Sequence, residues 1–150
     1  MNNLASKKKF NSKWLKYLPS DWQQKKINRI FKIKKEISGE LGYDVISITQ
    51  NGARIKNVEN GAGQLSMDYS KYQLVNKGDF LMNHMDLLTG YVDVSVFNGV
   101  TSPDYRVFSL IDKNCDSRFL LYLLQYFYKN KIFYAYGRGS SHLGRWRLPT

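Results

Sequence analysis

The sequence has very few of the residues that build disulfides and metal centres. Its 150 residues include one cysteine, Cys115, and two histidines, His84 and His142. A lone cysteine excludes an internal disulfide framework and a multi-cysteine zinc site, and it favours a reducing compartment. The sequence therefore predicts no bound metal, and no motif in it predicts another cofactor.

Long hydrophobic runs are also missing. The longest apolar stretch, residues 119–127, is interrupted by Gln125 and is far too short to span a bilayer. The N-terminus is rich in lysine but lacks the apolar core of a secretory signal. These absences predict a cytoplasmic protein with no membrane partner. A hydrophobic content of 43% over 150 residues is enough for the packed core of one domain.

Acidic residues are scarce at both ends of the chain, and the net charge is +11. Residues 1–40 carry eleven lysines and arginines against three acids, residues 41–117 six against nine, and residues 118–150 six against none. Two basic regions are typical of a polyanion-binding protein, because each neutralised phosphate releases counterions. The pattern favours nucleic acid over an anionic membrane, since there is no basic amphipathic repeat. Any single lysine is more simply explained by solubility.

The N-terminal part divides into an arm and the beginning of a domain. Residues 1–13 are predicted to form a flexible basic arm, and residues 14–150 a folded domain. Ser20 and Asp21, which follow Pro19, are suitable caps for the next element. From Lys26 the apolar spacing fits either a helix or a strand. We expect a short helix that grades into a loop at Gly39.

The middle of the chain contains five predicted strands. Each is short and rich in β-branched and aromatic residues, and turn sequences separate them. In one of them Val92, Val94 and Val96 alternate with other residues, so that one face of this strand is expected in the core. The five segments are residues 43–49, 72–75, 79–85, 91–97 and 105–111.

The C-terminal part predicts one long helix. Asp116 or Ser117 is a suitable cap for residues 118–136, roughly five turns. This segment is apolar on most of its circumference and should be buried against the sheet. Gly137 is a suitable C-terminal cap. The expected fold is a single α+β domain, with a mainly antiparallel or mixed β-sheet packed against the long C-terminal helix and a short N-terminal helix.

No catalytic motif is complete. The segment "GRGSSHLG" lacks the Lys-Ser/Thr of a nucleotide P-loop and follows a helix rather than a strand. Residues 102–105, "SPDY", partly match an amino-methyltransferase motif, but Asp104 replaces its second proline. A turn leading into the strand at Tyr105 is the simpler interpretation. A fragment of a DNA methyltransferase or nuclease, and an RNA-binding module, remain alternatives.

Four motifs, in this order, resemble the target-recognition domain of the specificity subunit of type I restriction-modification systems. Together they extend over nearly the whole chain from residue 14. They are Leu18-Pro19-x-x-Trp22, Gly78-Asp79 with Asn83-x-Met85, the segment "VTSPDYRVF" at residues 100–108, and Gly137-x-Gly139-Ser140-Ser141.

The resemblance implies a non-catalytic reader of double-stranded DNA that functions in phage defence. Such a domain reads one half of a split target, while separate modification (methyltransferase) and restriction subunits act on the DNA. A second recognition domain or half-subunit reads the other half. Because the family continues into a helix where this chain ends, we expect an isolated recognition domain or half-subunit.

Polar residues in three regions are the candidate DNA contacts. Arginine, asparagine and glutamine have the forked donors and acceptors that read base edges. Glycine-rich backbone, hydroxyls and arginines suit contacts with phosphates. For residues 137–148 there is an alternative, in which Gly137 caps the helix and the following loop packs Trp146 and Leu148 on the core. For each candidate base reader a solvated or turn-forming role is an equal alternative. The candidates are Gln50, Asn51, Arg54, Lys56 and Asn57; Lys71, Asn83 and His84; and Arg138, Ser140, Ser141, His142 and Arg145.

Overall fold

The computed structural model describes residues 7–9, 17–57 and 69–137, and it has an α+β fold with mainly antiparallel sheets. The helices are α1 (Ile27–Ile30), α2 (Ser117–Lys129) and α3 (Ile132–Ala135). The strands are β1 (Lys7–Lys9), β2 (Tyr17–Pro19), β3 (Phe31–Lys34), β4 (Ile46–Thr49), β5 (Gly52–Ile55), β6 (Gln73–Val75), β7 (Phe80–Met82), β8 (Val92–Val94), β9 (Gly99–Thr101) and β10 (Arg106–Leu110).

A four-stranded antiparallel sheet in the order β3-β10-β7-β8 forms the middle layer. Alternate residues of a strand point to opposite faces. Phe80, Met82 and Phe108 accordingly pack with α2 on one face. Leu81 and Val107 pack on the other face with residues of the β4–β5 hairpin. The sheet is therefore buried on both sides.

The hairpin and a small second ladder lie together. Strands β4 and β5 pair from Ile46↔Ile55 to Thr49↔Gly52, and β6 pairs with β9. Thr101 Oγ1 on β9 donates a hydrogen bond to Ile46 O at 2.7 Å. This buried bond joins the open end of the hairpin to the β6–β9 ladder.

Helix α2 begins where its sequence predicts. The Asp116 side chain accepts a hydrogen bond from the Phe119 N–H at 2.8 Å, which satisfies a free donor of the first turn. Leu120, Leu124 and Tyr128 recur every four residues and form its buried side. The opposite side is exposed, with Tyr122 at 68%. The helix is thus buried against the sheet, as predicted, but along one side only.

The predicted five-turn helix is divided in two. Lys131 has φ 58°, in the left-handed region, which ends the ladder of helical hydrogen bonds. Helix α3 follows, and its Phe133 ring packs edge-on against Tyr128 at a centroid distance of 5.1 Å. The break allows α3 to fold back on α2.

The region after Lys26 uses both of the conformations that its spacing allowed. One helical turn, α1, is followed directly by β3, where we expected a helix that ends in a loop. The extended form prevails from Phe31 because β3 pairs with β10, with Phe31 opposite Leu110.

Each of the five predicted strand segments contains a strand: β4, β6, β7, β8 and β10. Strands β5 and β9 are additional, and they occupy segments whose turn sequences predict loops. Val96 lies beyond the end of β8 and is 62% exposed, so the expected buried face includes only Val92 and half-buried Val94.

The predicted arm at residues 1–13 includes β1, which pairs with β2. Its flexibility, the boundary at residue 14 and the single-domain interpretation stay predictions. Among the helices in the described part of the chain, none combines the length and apolar character needed to cross a membrane.

Candidate nucleic-acid interface

The β4–β5 hairpin ends in a two-residue turn formed by Gln50 and Asn51. Thr49 Oγ1 donates a hydrogen bond to Gly52 O at 3.0 Å and accepts one from the Asn51 N–H at 3.1 Å. The threonine hydroxyl thus satisfies backbone groups within the turn. The Gln50 and Asn51 side chains are left exposed.

An acidic side chain connects the hairpin to the central sheet. Asp93 on β8 accepts a hydrogen bond from the Ala53 N–H through Oδ2 and another from the Val94 N–H through Oδ1, each at 2.8 Å. Gly52 has φ +96° and lies so close that a Cβ there would overlap the Asp93 carboxylate. Glycine at this position permits both the turn conformation and the close approach.

The tip of the hairpin also contacts the β7–β8 loop, residues 83–91. Gln50 Nε2 donates a hydrogen bond to Thr89 O at 3.1 Å. Asp86 organises this loop because its carboxylate accepts the N–H of Leu88 at 3.0 Å, the N–H of Thr89 at 2.7 Å and the Thr89 hydroxyl. Partial burial raises the pKa of the Asp86 carboxyl, but these hydrogen bonds bring the net pKa below its usual value.

Helix α2 supports the same loop from the other side. Tyr128 OH donates a hydrogen bond to Asn83 O at 2.5 Å. Burial raises the pKa of Tyr128, and the charge of Asp86 adds to the shift, so the phenol remains a neutral donor. Lys131 Nζ donates to Leu88 O. The left-handed residue that ends α2 therefore also anchors the loop.

These contacts bring together four residues that are all exposed, and we call them the hairpin-tip surface: Gln50, Asn51, Thr89 and Lys131. Two amides, a hydroxyl and a cation are the groups that proteins use to contact base edges and phosphates. The two amides are among the contacts predicted from the sequence, whereas Thr89, Lys131 and the supporting Asp93 are not. An acidic residue between two valines of a strand that is predicted to contribute to the core indicates a need for hydrogen-bond partners, and this pattern could have identified Asp93.

The other predicted residues on the hairpin are exposed and lie away from its tip. Arg54 is on β5 opposite Ser47, and Lys56 and Asn57 follow the strand. The Lys56 N–H donates to Val45 O at 2.7 Å, at the open end of the hairpin. Lys71 is exposed on a single 3₁₀ turn, Tyr69–Lys71, that precedes β6.

Asn83 and His84 belong to the inner part of the β7–β8 loop. Asn83 is half-buried and accepts the Met85 N–H through Oδ1 at 3.3 Å. His84 is only 2% exposed. In this conformation both side chains face the protein more than solvent, and their contact with DNA stays a prediction.

The predicted phosphate loop begins where the described chain ends. Gly137 is the last described residue, and its N–H donates to Tyr134 O at 3.0 Å after α3. Lys131 of the hairpin-tip surface lies six residues earlier in the sequence. The remaining candidates, Arg138, Ser140, Ser141, His142 and Arg145, fall outside the described residues.

A second polar surface lies at the opposite edge of the central sheet. Lys26, Arg29 and Lys32 are exposed there, and we call them the β3 surface. Lys34 is on the same strand, but its side chain is only 11% exposed and its Nζ lies 2.7 Å from Asp79 Oδ2. The β3 surface therefore consists of cations, while Lys34 is part of the interior.

Neither surface has the features of a metal centre. Within residues 7–9, 17–57 and 69–137, no group of three histidine, cysteine, aspartate or glutamate side chains is arranged to hold a metal ion. The hairpin-tip surface offers donors, acceptors and one positive charge, which suit recognition of a polar polyanion.

The family model described as the type I restriction modification DNA specificity domain matches residues 19–148, which is nearly the whole chain. No curated protein and no solved structure matches.

Proposed function

Since this chain belongs to the family of type I restriction modification DNA specificity domains, we propose that it reads one half of a split double-stranded DNA target. Membership in the family makes it a DNA-binding, target-recognition component of a restriction-modification system. The half-site, the reading residues and the partner proteins are parts of the proposal.

The observation that carries the proposal is the hairpin tip with its two exposed amides. A two-stranded β-ribbon fits the major groove of B-DNA, where each base pair presents a distinct set of donors and acceptors. Gln50 and Asn51 both have an oxygen and an NH₂ group, the pair of functions that reads adenine. Arg54, farther along β5, has the forked donors that read guanine.

Cations near the hairpin supply the contacts that hold the protein on the phosphate backbone of the DNA. Lys131 is next to the tip, and Lys56 follows the open end of the hairpin. Lys71 is exposed just before β6, whose partner strand β9 is hydrogen-bonded to Ile46. Contacts of this kind set the register of a protein on DNA and carry no base information. We assign the same role to Arg138, Ser140, Ser141, His142 and Arg145.

The chain itself performs no catalysis in this proposal. It directs the modification and restriction subunits of a type I complex to the DNA, and a second recognition domain or half-subunit reads the other half of the target. Linking two modest readers raises the total affinity through the effective concentration of the second half-site. This assembly would operate in the cytoplasm.

The test is selection from a randomised double-stranded DNA pool, with competitor DNA and near-physiological salt, followed by sequencing. We expect enrichment of one short motif, roughly three to five base pairs long. Flat enrichment together with steeply salt-dependent binding would contradict specific reading, because generic charge produces that result.

Arg54→Ala identifies the contribution of one predicted reader. If Arg54 contacts a guanine, the variant should lose roughly 1–3 kcal/mol of binding free energy and relax the preference at one position of the motif. Lys32→Ala, on the β3 surface, is the matched removal of an exposed cation and should leave the motif intact. An unchanged motif in Arg54→Ala would remove Arg54 from the reading residues.

A further inference from the structure

We propose that Asp93 is a positioning residue that holds the hairpin tip in the orientation needed to read bases. This inference rests on the proposed function, and it assigns a role to an acidic side chain in a basic DNA-binding domain. Asp93 lies on β8, the edge strand of the central sheet, directly opposite Leu81 of β7.

Both oxygens of the Asp93 carboxylate are used by backbone N–H groups. One holds Val94 of its own strand, and the other reaches Ala53 of β5, which is 40 residues away in the sequence. Hydrogen bonds to an ionised group are stronger than those between neutral groups. The carboxylate therefore connects the hairpin to the sheet where β5 passes the edge strand.

The connection is close to the turn itself. Gly52, where a Cβ would overlap the carboxylate, directly follows Asn51. Gln50 is held separately by Thr89 O at 3.1 Å. Apolar packing places the hairpin against the sheet, and two attachments on different elements further restrict rotation of its tip. The Thr49–Gly52 bond only keeps the turn closed.

A fixed tip has a direct consequence for DNA binding. A reader that is already in its bound orientation loses less conformational entropy on association, and a wrong base cannot be accommodated by movement of the tip. The negative charge of Asp93 has the opposite effect on general affinity, since it repels phosphates. Positioning and simple repulsion thus predict different results when the carboxylate is removed.

The experiment compares the wild-type chain with Asp93→Ala and Asp93→Asn, using the randomised DNA selection and amide hydrogen exchange of the free protein. In Asp93→Ala we expect the Ala53 amide to exchange at least about tenfold faster, because a charge-assisted bond is lost. Preference for the selected motif over other DNA should fall about tenfold. Affinity for other DNA should stay equal or rise.

Asp93→Asn keeps one oxygen acceptor but places an NH₂ group where the second oxygen was. It should give intermediate values for both Ala53 exchange and motif preference. Circular dichroism and thermal unfolding would show that each variant retains the fold. A variant that weakened binding to all sequences equally, with an unchanged motif, would overturn the positioning role.

A pair of glycine variants provides a test in which Asp93 itself is not substituted. Gly52 and Gly42 both have φ +96°, but nothing lies within 4 Å of a Cβ built at Gly42. Gly42→Ala introduces backbone strain alone, while Gly52→Ala also displaces the Asp93 carboxylate. We expect only Gly52→Ala to speed exchange at Ala53 and reduce motif preference. Equal behaviour of the two variants would overturn the inference.

Failure of the inference is distinguishable from failure of the proposed function. If the wild-type chain selects a motif and Asp93→Ala selects it equally well, the positioning role is wrong and the reading function stands. If the wild-type chain selects no motif, the proposed function fails, and with it the role of Asp93 in reading. Unchanged Ala53 exchange in Asp93→Ala overturns the inference whatever the DNA result.

Discussion

The two edges of the central sheet carry polar surfaces of opposite construction. At the β8 edge, the hairpin-tip surface has two short neutral amides, a hydroxyl and a single cation, and the Gln50 amide is hydrogen-bonded to a neighbouring loop. At the β3 edge, Lys26, Arg29 and Lys32 present long, exposed cationic side chains. The first surface is defined by the contacts beneath it, and the second by the charge of its residues.

The difference corresponds to the two tasks of a DNA reader. Base edges are distinguished by donors and acceptors in fixed positions, whereas phosphates need only positive charge within reach. Two lysines of β3 differ in their surroundings, because Lys32 is exposed to solvent whereas the Lys34 ammonium contacts Asp79. Single substitutions on and beneath the two surfaces test this division.

Asp79→Ala should have the largest effect, on stability. The buried carboxylate of Asp79 accepts the Asn76 N–H at 2.8 Å, the Ser109 hydroxyl at 2.9 Å and Lys34 Nζ at 2.7 Å. Its removal leaves a nearly buried ammonium without this partner, which costs about 3–5 kcal/mol. Urea denaturation measures the free energy of unfolding. Asp104→Ala, at an exposed site, should change it little, and similar values for both variants would contradict the assigned role of Asp79.

Gln50→Ala should cost about 1–3 kcal/mol of discrimination between the selected motif and a sequence changed at one base pair. The loss combines a missing base contact with a missing bond to Thr89. Competition binding with the two DNAs measures the difference. Gln23→Ala, at an exposed glutamine outside the hairpin-tip surface, is the control. Equal discrimination by Gln50→Ala and the wild-type chain would exclude Gln50 as a reader.

Tyr128→Phe should lower the free energy of unfolding by about 1 kcal/mol, because the Asn83 carbonyl loses a neutral donor. The β7–β8 loop beneath the hairpin tip should also exchange its amides faster. Tyr122→Phe removes a hydroxyl from the exposed side of the same helix and should have no effect on either quantity. If the amides of the β7–β8 loop exchanged at the wild-type rate in Tyr128→Phe, the hydrogen bond from the helix would not be supporting the loop.

Acid should loosen the β7–β8 loop before it unfolds the sheet. The pKa of the Asp86 carboxyl in the folded protein lies below its ordinary value of 3.8. The stabilisation that this carboxylate gives to the loop is therefore fully present above pH 3.8, and it is lost as the pH falls through the pKa of the folded state. Amide exchange of Leu88 and Thr89 at a series of pH values, corrected for intrinsic rates, should show the change. Asp86→Asn should remove this pH dependence, and Asp104→Asn should preserve it.

Lys32→Ala should have the smallest effect and the least dependence on sequence. If Lys32 contacts a phosphate, the slope of log affinity against log salt should fall by about 0.9, equally for target and other DNA. Gln50→Ala should change discrimination without changing this slope. A Lys32 variant that altered the selected motif would contradict the division between the two surfaces.

The sequence predicted much of the fold but only part of its division into elements. All five strand segments identified by composition contain strands, and Asp116 caps α2. Strand β5 was missed because its sequence, "GARI", has glycine and two polar or small residues, and it becomes a strand through pairing with β4. The end of α2 was missed because no residue type marks the left-handed conformation of Lys131.

The candidate interface shows the same limit. Amino-acid type alone identified Gln50, Asn51 and Arg54 as residues capable of reading bases. Type alone also proposed Asn83 and His84, which the packing of the loop turns towards the interior. Burial depends on neighbours from elsewhere in the chain, and a residue's type does not specify them.

Composition, charge and the order of the motifs were sufficient to predict the α+β class, the basic ends of the chain, the family and the polar residues available for recognition. Which of those residues meet depends on how the elements pack. The contacts that hold the hairpin tip, from Ala53 to Asp93 and from Gln50 to Thr89, join residues 40 and 39 positions apart. They form because the hairpin packs across the sheet to bury its apolar face, and that packing brings its turn to the β8 edge.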